Sequence, residues 1–127
     1  MSYESTLTCI TVQAGADLST KQYLFHNMAS DGQIDPVGTE GIDAMGVLQN
    51  DPDAAGKAAT LAVAGVTKVV AAGAIDPGGK VMSDNTGKAV AASTTKIVLG
   101  RYLGTVAAAS GDIIPVLLGS NGNLALS

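Results

Sequence analysis

Residues 57–71, Lys-Ala-Ala-Thr-Leu-Ala-Val-Ala-Gly-Val-Thr-Lys-Val-Val-Ala, lie in the most apolar part of the chain. Branched valines suit the pleated surface of a β-sheet, and Gly65 marks a bend or bulge within the segment. We therefore predict two strands, over residues 57–64 and 66–71. Lys68 and the many Ala, Gly and Thr residues argue against a membrane span, which needs about 20 strongly apolar residues.

The same pattern continues in both directions along the chain. Short apolar runs bounded by Gly, Pro, Asn and Asp recur about every ten residues, which is typical of an all-β sandwich or barrel. Asp-Asn-Thr-Gly at residues 84–87 predicts a hairpin turn with glycine at a positive φ. Residues 30–43 are interpreted as a long irregular loop, and residues 53–62 allow at most a short helical turn because Gly56 interrupts them. Further strands are predicted over residues 7–12, 22–28, 44–48, 80–83, 88–92, 97–107 and 113–118.

A chain of 127 residues has the length of one ordinary domain. We predict a small all-β domain, a β-sandwich or barrel-like fold with hairpins and an extended N-terminal arm. Residues 1–20 form the arm or first strand in this prediction, and residues 21–127 form a single β domain.

Composition excludes several classes of function. Hydrophobic residues make up 46% of the chain, but Trp is absent and only 3% of residues are aromatic, so much of the apolar content is small side chains. The net charge is −4 and the seven basic residues are scattered, which argues against nucleic-acid binding. Cys9 is the only cysteine and permits no intrachain disulfide. The first residues lack the features of a signal peptide, so we expect synthesis in a cytoplasm and no membrane partner.

Candidate chemistry is sparse along the chain. His26 is the only histidine and is interpreted as a packing or surface residue rather than a general base. Residues 51–62 begin like a calcium loop but end in Ala62 where the loop needs Glu, and residues 73–80 miss the spacing of a phosphate loop. The acidic side chains of residues 31–43 lack the aromatic wall of a sugar site. We predict no enzyme and no catalytic, cofactor or metal site.

One internal echo stands out in the sequence. Met45-Gly-Val-Leu followed by Ala55-Gly-Lys resembles Leu103-Gly-Thr-Val followed by Ser110-Gly-Asp, each before an apolar strand. Either two ordinary hairpins or a true structural repeat would produce this pattern.

Taken in order, three segments resemble the capsid decoration (cement) proteins of tailed bacteriophages. They are Met45-Gly-Val-Leu with Ala55-Gly-Lys, then Gly73-Ala-Ile-Asp-Pro-Gly-Gly-Lys-Val-Met-Ser-Asp-Asn-Thr-Gly-Lys, then Leu103-Gly-Thr-Val with Ala109-Ser-Gly-Asp-Ile-Ile-Pro-Val-Leu-Leu. The resemblance covers residues 44–118. It implies a non-enzymatic structural virion protein, often a homotrimer, on the exterior of the mature capsid at three-fold or quasi-three-fold positions. Its partner would be the major capsid protein, whose neighbouring subunits it would clamp.

The stretch before residue 44 departs from the resemblance, and we predict that its N-terminal part contacts the capsid. Its strand-like pattern and the lack of a tight turn favour an arm, and removal of residues 2–11 is expected to leave the domain folded. The predicted capsid-contact residues are Ser2, Tyr3, Glu4, Leu7, Cys9 and Thr11.

Two alternatives remain open from the sequence. One is another virion or carbohydrate-binding β module, tail-associated or glycan-binding, with Asp31, Asp35 and Glu40 at its ligand site. The other is a small hydrolase that uses His26.

Overall fold

The protein is all-β, as predicted. A computed structural model describes residues 7–124, of which residues 119–124 are described by their backbone alone. These residues contain no helix, and so none that spans a membrane. The nine strands are β1 (Thr8–Ala14), β2 (Phe25–Met28), β3 (Gln33–Pro36), β4 (Gly46–Leu48), β5 (Ala58–Val70), β6 (Lys80–Ser83), β7 (Ala89–Ala91), β8 (Ile97–Tyr102) and β9 (Ile113–Leu124).

The sheet closes into two five-stranded barrels that share β5. The strand order is β1-β3-β2-β4-β5-β9-β8-β6-β7, and β1 also pairs with the first half of β5. This pairing closes barrel 1, which consists of β1 to β4 and residues 58–64 of β5. The bridge between Ala71 and Ala89 closes barrel 2, which consists of the rest of β5 and β6 to β9. Among the described residues closure is partial, because β1 meets β3 at two residue pairs and barrel 2 closes through one bridge.

Local turn chemistry explains which strand predictions are confirmed. The 84–87 turn joins β6 to β7 as predicted, because the Asp84 carboxylate accepts the backbone N–H groups of Thr86 and Lys88, and Gly87 has a φ of 87°. β8 ends at Tyr102, so the predicted extension to residue 107 is wrong. The two strands predicted over residues 57–71 are one strand, with Gly65 at the point where it passes from barrel 1 to barrel 2.

The two barrels have the same topology, strand by strand. The strands correspond in chain order. β1 matches the second half of β5, and β2, β3 and β4 match β6, β7 and β8. The first half of β5 matches β9. The hairpin β2–β3 pairs His26 with Pro36, and β6–β7 pairs Val81 with Ala91 in the same way. The parallel contact of β1 with β3 has its counterpart in the parallel bridge of barrel 2.

The unusual backbone conformations repeat as well. Eight of the nine residues with positive φ form equivalent pairs in the two barrels, and the ninth is Gly65 at the junction. The pairs are Tyr23 with Gly78, Gly32 with Gly87, Gly41 with Thr95, and Gly56 with Gly111. Because positive φ is uncommon, its recurrence at four equivalent places in each barrel, together with the shared strand topology, identifies the chain as a structural duplication.

The duplication corrects the register of the internal echo. Gly56 and Gly111 are equivalent, as the sequence suggested, and both amides bond to the end of the first strand of their barrel. Gly46, however, corresponds to Gly100 rather than to Gly104. A Cβ atom added at Gly46 would meet the Ala62 carbonyl oxygen, and one added at Gly100 would meet that of Leu117. The close approach of two backbones, and not a turn, therefore requires glycine at these two positions.

Alanine at either close-approach glycine is expected to destabilise the protein. Gly46→Ala and Gly100→Ala should each lower the free energy of unfolding by about 1–3 kcal/mol, because the added methyl group displaces a neighbouring strand. Chemical denaturation measures this loss. Gly38→Ala and Gly73→Ala are matched controls, since a Cβ atom there meets nothing within 4 Å, and their effects should stay within about 0.5 kcal/mol. Equal effects in the two pairs would contradict the assignment.

Each barrel has its own core, and the cores repeat too. The core of barrel 1 consists of Ala14, Leu18, Ile34, Leu48, Ala59 and Leu61. Their six counterparts, Ala71, Ile75, Ala89, Tyr102, Ile114 and Val116, all belong to the second buried cluster. That cluster also contains Phe25, Val37, Val47 and Ala62 of barrel 1, so it continues across the boundary between the barrels.

Candidate functional site

β1 presents a row of exposed side chains on its outer face. Leu7, just before β1, and Cys9 and Thr11 within it are exposed, and Thr8 between them is exposed as well. From Cys9 to Gln13 exposed residues alternate with the half-buried Ile10 and Val12, as expected for a strand. Cys9 is a free thiol. The other predicted contact residues, Ser2, Tyr3 and Glu4, lie outside the described residues.

The inner face of β1 belongs to barrel 1. Ile10 and Val12 pack against the core of that barrel, and Thr8 to Gln13 pair with β5 in antiparallel register. From Thr8 onward the predicted arm is therefore an integral strand. Removal of residues 2–11 would open barrel 1, so the expectation that the domain survives this deletion does not agree with the structure.

Most of β1 has one unpaired edge. Among residues 7–124, β1 pairs with β5 along its length, but with β3 only at Gln13 and Ala14. Residues 8–12 therefore expose backbone donors and acceptors to a further strand. An extended partner segment that adds at such an edge gains main-chain hydrogen bonds, while adjacent side chains provide specificity.

A groove of about 310 Å³ lies where Leu7, just before β1, approaches residues 66–68 of β5, on the side where β1 pairs with β5. Leu7 and Tyr23 line it on one side, and Val66, Lys68 and Pro115 line it on the other. Gln49 forms part of its lining and donates a hydrogen bond of 2.7 Å to the Thr67 hydroxyl. The groove is mainly apolar with one cation at its side, which suits an apolar side chain of a partner protein.

His26 is fully buried inside barrel 1, at 0% exposure. Its Nδ1 lies 2.8 Å from the Leu24 carbonyl oxygen and donates to it, which leaves Nε2 buried without a partner among the described residues. Burial lowers its pKa below the ordinary value of 6.5; the Leu24 bond and Asp35 oppose this shift, and Lys21 adds to it. A neutral imidazole with no access to solvent has no substrate to act on, so the geometry does not favour the hydrolase hypothesis.

The acidic residues predicted as an alternative ligand site lie in or beside the β2–β3 hairpin, and their described contacts are with neighbouring parts of the chain. Asp31 accepts the Gln33 backbone N–H within the β2–β3 turn, and Asp35 lies in β3 beside Gly15. Glu40 is exposed after β3. In the described part of the chain, no three His, Cys, Asp or Glu side chains are placed to hold a metal ion.

Sequence reasoning identified the exposed row on β1 but missed other features of the surface. It did not predict the unpaired edge, because edge pairing depends on β3, which lies in the stretch interpreted as a loop. It also missed the groove, whose walls come from residues distant in sequence. The signals available in the sequence were the strand-like Thr-Leu-Thr-Cys-Ile-Thr-Val pattern of residues 6–12 and the lack of a tight turn.

Comparisons with known proteins agree with this fold. A family model described as phage cement protein matches residues 8–118. The crystal structure of head fiber gp8.5 N base in bacteriophage phi29 is similar, with a TM-score of 0.67 and 18% sequence identity over 93% of this chain and 98% of that chain. No curated protein matches. At this identity the solved structure supports the architecture alone.

Proposed function

Because the chain belongs to the phage cement protein family, and so is a structural protein of a phage virion, we propose that it decorates the exterior of the mature capsid and clamps neighbouring major capsid subunits. It acts by binding and not by catalysis. The protein is synthesised in the host cytoplasm and joins the shell after expansion.

The observation that carries the clamp is the unpaired edge of β1 beside its exposed row of side chains. Leu7, Cys9 and Thr11 contact one capsid subunit, and Ser2, Tyr3 and Glu4 extend this contact. A strand from the capsid adds at the edge of residues 8–12, which supports the capsid-contact role with main-chain hydrogen bonds. Many copies on one shell stabilise it collectively, even when each contact is modest.

The proposed assembly is a homotrimer at three-fold or quasi-three-fold positions. A symmetric assembly supplements the small apolar side chains of each copy with an intersubunit interface. It also places three copies of β1 around one axis, so that each reaches a different capsid subunit.

Binding to capsids is tested by co-sedimentation of the purified protein with immature and expanded heads of its source phage. We expect saturable binding to expanded heads only, near the number of three-fold positions. Absence of binding to either form would overturn the proposed function.

Charged substitutions on the outer row of β1 are expected to weaken this binding. The double variant Leu7→Asp/Thr11→Asp should raise the apparent dissociation constant for expanded heads at least about tenfold, because it places charge in a desolvated contact. The control Asn85→Asp/Thr94→Asp adds the same two charges at exposed turns on either side of β7 and should bind like the wild type. Unchanged binding of a folded double variant would show that β1 does not contact the capsid.

A further inference from the structure

β9 carries large apolar side chains on both of its faces. Residues 113–118 read Ile-Ile-Pro-Val-Leu-Leu, and a continuous apolar run of this kind is typical of a strand covered on both sides. Ile114, Val116 and Leu118 face the core of barrel 2 and are buried. Ile113 and Leu117 point outward with 57% and 43% of their surface exposed.

The outward side chains of β9 form one surface with those of its neighbours. Register places Leu117 between Val66 of β5 and Arg101 of β8, and Pro115 opposite Lys68. We call the surface of Val66, Lys68, Arg101, Ile113, Pro115 and Leu117 the β9 face. An apolar sheet face of this kind marks an interaction site.

The duplication shows what covers the equivalent surface in barrel 1. Val47 and Ala62 occupy in barrel 1 the positions that Arg101 and Leu117 occupy in barrel 2. Both barrel 1 residues are fully buried in the cluster shared with barrel 2. In barrel 1 these positions therefore form the contact between the two barrels of the chain. In barrel 2 the equivalent positions, Arg101 and Leu117, are exposed to solvent.

Charge identifies the kind of surface that fits the β9 face. Residues 66–118 contain five basic and three acidic side chains, whereas residues 7–65 contain two basic and seven acidic ones. Lys68 and Arg101 lie on the β9 face itself. Barrel 1 also exposes apolar side chains beside an acid, where Ile42 and Met45 flank the exposed Asp43. The Lys96 side chain packs on Gly41 beside this surface, so its local charge is not that of barrel 1 as a whole. The match between the two surfaces rests on apolar side chains on both and on Asp43 opposite the cations Lys68 and Arg101.

We infer that the β9 face of one copy binds barrel 1 of a second copy, around Ile42, Asp43 and Met45. Such a head-to-tail contact uses different surfaces on the two partners, and it closes into a ring when the rotation between copies permits. This inference rests on the proposed homotrimer and assigns its interface to the β9 face, including the groove residues Val66, Lys68 and Pro115. The outer row and the unpaired edge of β1 are left for the capsid.

The oligomeric state in solution, measured by light scattering after size exclusion and without capsids, tests the interface. We expect a wild-type trimer, and at least an approximately 30-fold higher dissociation constant for Leu117→Glu and for Ile113→Glu. Ala58→Glu is the matched control, because Ala58 is the exposed barrel 1 counterpart of Ile113, and it should remain trimeric. Circular dichroism and thermal unfolding establish that each variant is folded.

Complementation tests the head-to-tail geometry. The double variant Ile42→Lys/Met45→Lys should also be monomeric, since it replaces the two apolar side chains of the barrel 1 surface with cations that repel Lys68 and Arg101. Mixed with Leu117→Glu, it should form a heterodimer, because one intact β9 face and one intact barrel 1 surface remain. A mixture that stays monomeric would overturn the pairing of these two surfaces.

Other results separate this inference from the proposed function. A wild-type monomer at the highest soluble concentration would overturn the self-association, while co-sedimentation with heads would still test decoration. If Leu117→Glu stayed trimeric but lost binding to heads, the β9 face would be a capsid contact and the inference would be wrong.

Discussion

Replacement of Phe25 by alanine is expected to lower the free energy of unfolding by about 3–5 kcal/mol, the largest single loss we predict. Phe25 is 1% exposed and belongs to the cluster that joins the two barrels. With Leu99 and Leu118 of barrel 2 it lines a cavity of only about 20 Å³. Its backbone N–H also donates to the Gly87 carbonyl oxygen of barrel 2 at 2.7 Å. Truncation therefore leaves a void at the contact between the barrels.

The duplication supplies a matched control at the corresponding place in barrel 2. Lys80 pairs with Arg101 as Phe25 pairs with Val47, but Lys80 is exposed. Lys80→Ala should change the free energy of unfolding by no more than about 0.5 kcal/mol. Denaturant unfolding monitored by circular dichroism measures both variants.

The shape of the unfolding transition adds a second test. Because β5 belongs to both barrels, we expect Phe25→Ala to unfold in a single cooperative step at lower denaturant concentration. A loss below about 1 kcal/mol, or a separate early transition of one barrel, would contradict the interpretation of Phe25 as a residue that couples the barrels.

Sequence reasoning succeeded where structure depends on neighbouring residues. The β6–β7 hairpin was predicted correctly because the Asp84 carboxylate and the positive φ of Gly87 act within five residues. The all-β class followed from the same kind of local signal, repeated along the chain. These signals need no knowledge of the distant chain.

It failed where a distant partner decides the structure. β3 was missed because Asp35 and Pro36 disfavour a strand locally, while pairing with β1 and β2 stabilises it. The internal echo was aligned on Gly104, because the role of Gly100 depends on contact with the Leu117 backbone. The capsid-contact residues stay a prediction. The strand pattern of residues 7–12 is local and was recognised, whereas the unpaired edge of β1 depends on β3 and was not.

Acidification is expected to destabilise the protein through His26, and replacement of His26 by valine is expected to reduce this sensitivity. Burial keeps the folded-state pKa below the unfolded value of 6.5. The unfolded chain therefore binds a proton before the folded protein does, and stability falls as the pH decreases below about 6.5. Valine is the appropriate replacement because Val81 occupies the equivalent buried position in barrel 2.

Denaturant unfolding near neutral pH and near pH 5 compares the two proteins. The difference in unfolding free energy between His26→Val and wild type should shift in favour of the variant at the lower pH, since the carboxylates other than Asp35, which acts on His26, contribute alike to both. The variant also removes the unpartnered Nε2, whose burial costs about 1–3 kcal/mol and offsets the packing volume lost with the ring. In the reciprocal variant, Val81→His, a second buried imidazole should make the protein more sensitive to acid than the wild type. Parallel pH dependence in wild type and His26→Val would mean that His26 gains a proton in the folded state as readily as in the unfolded chain.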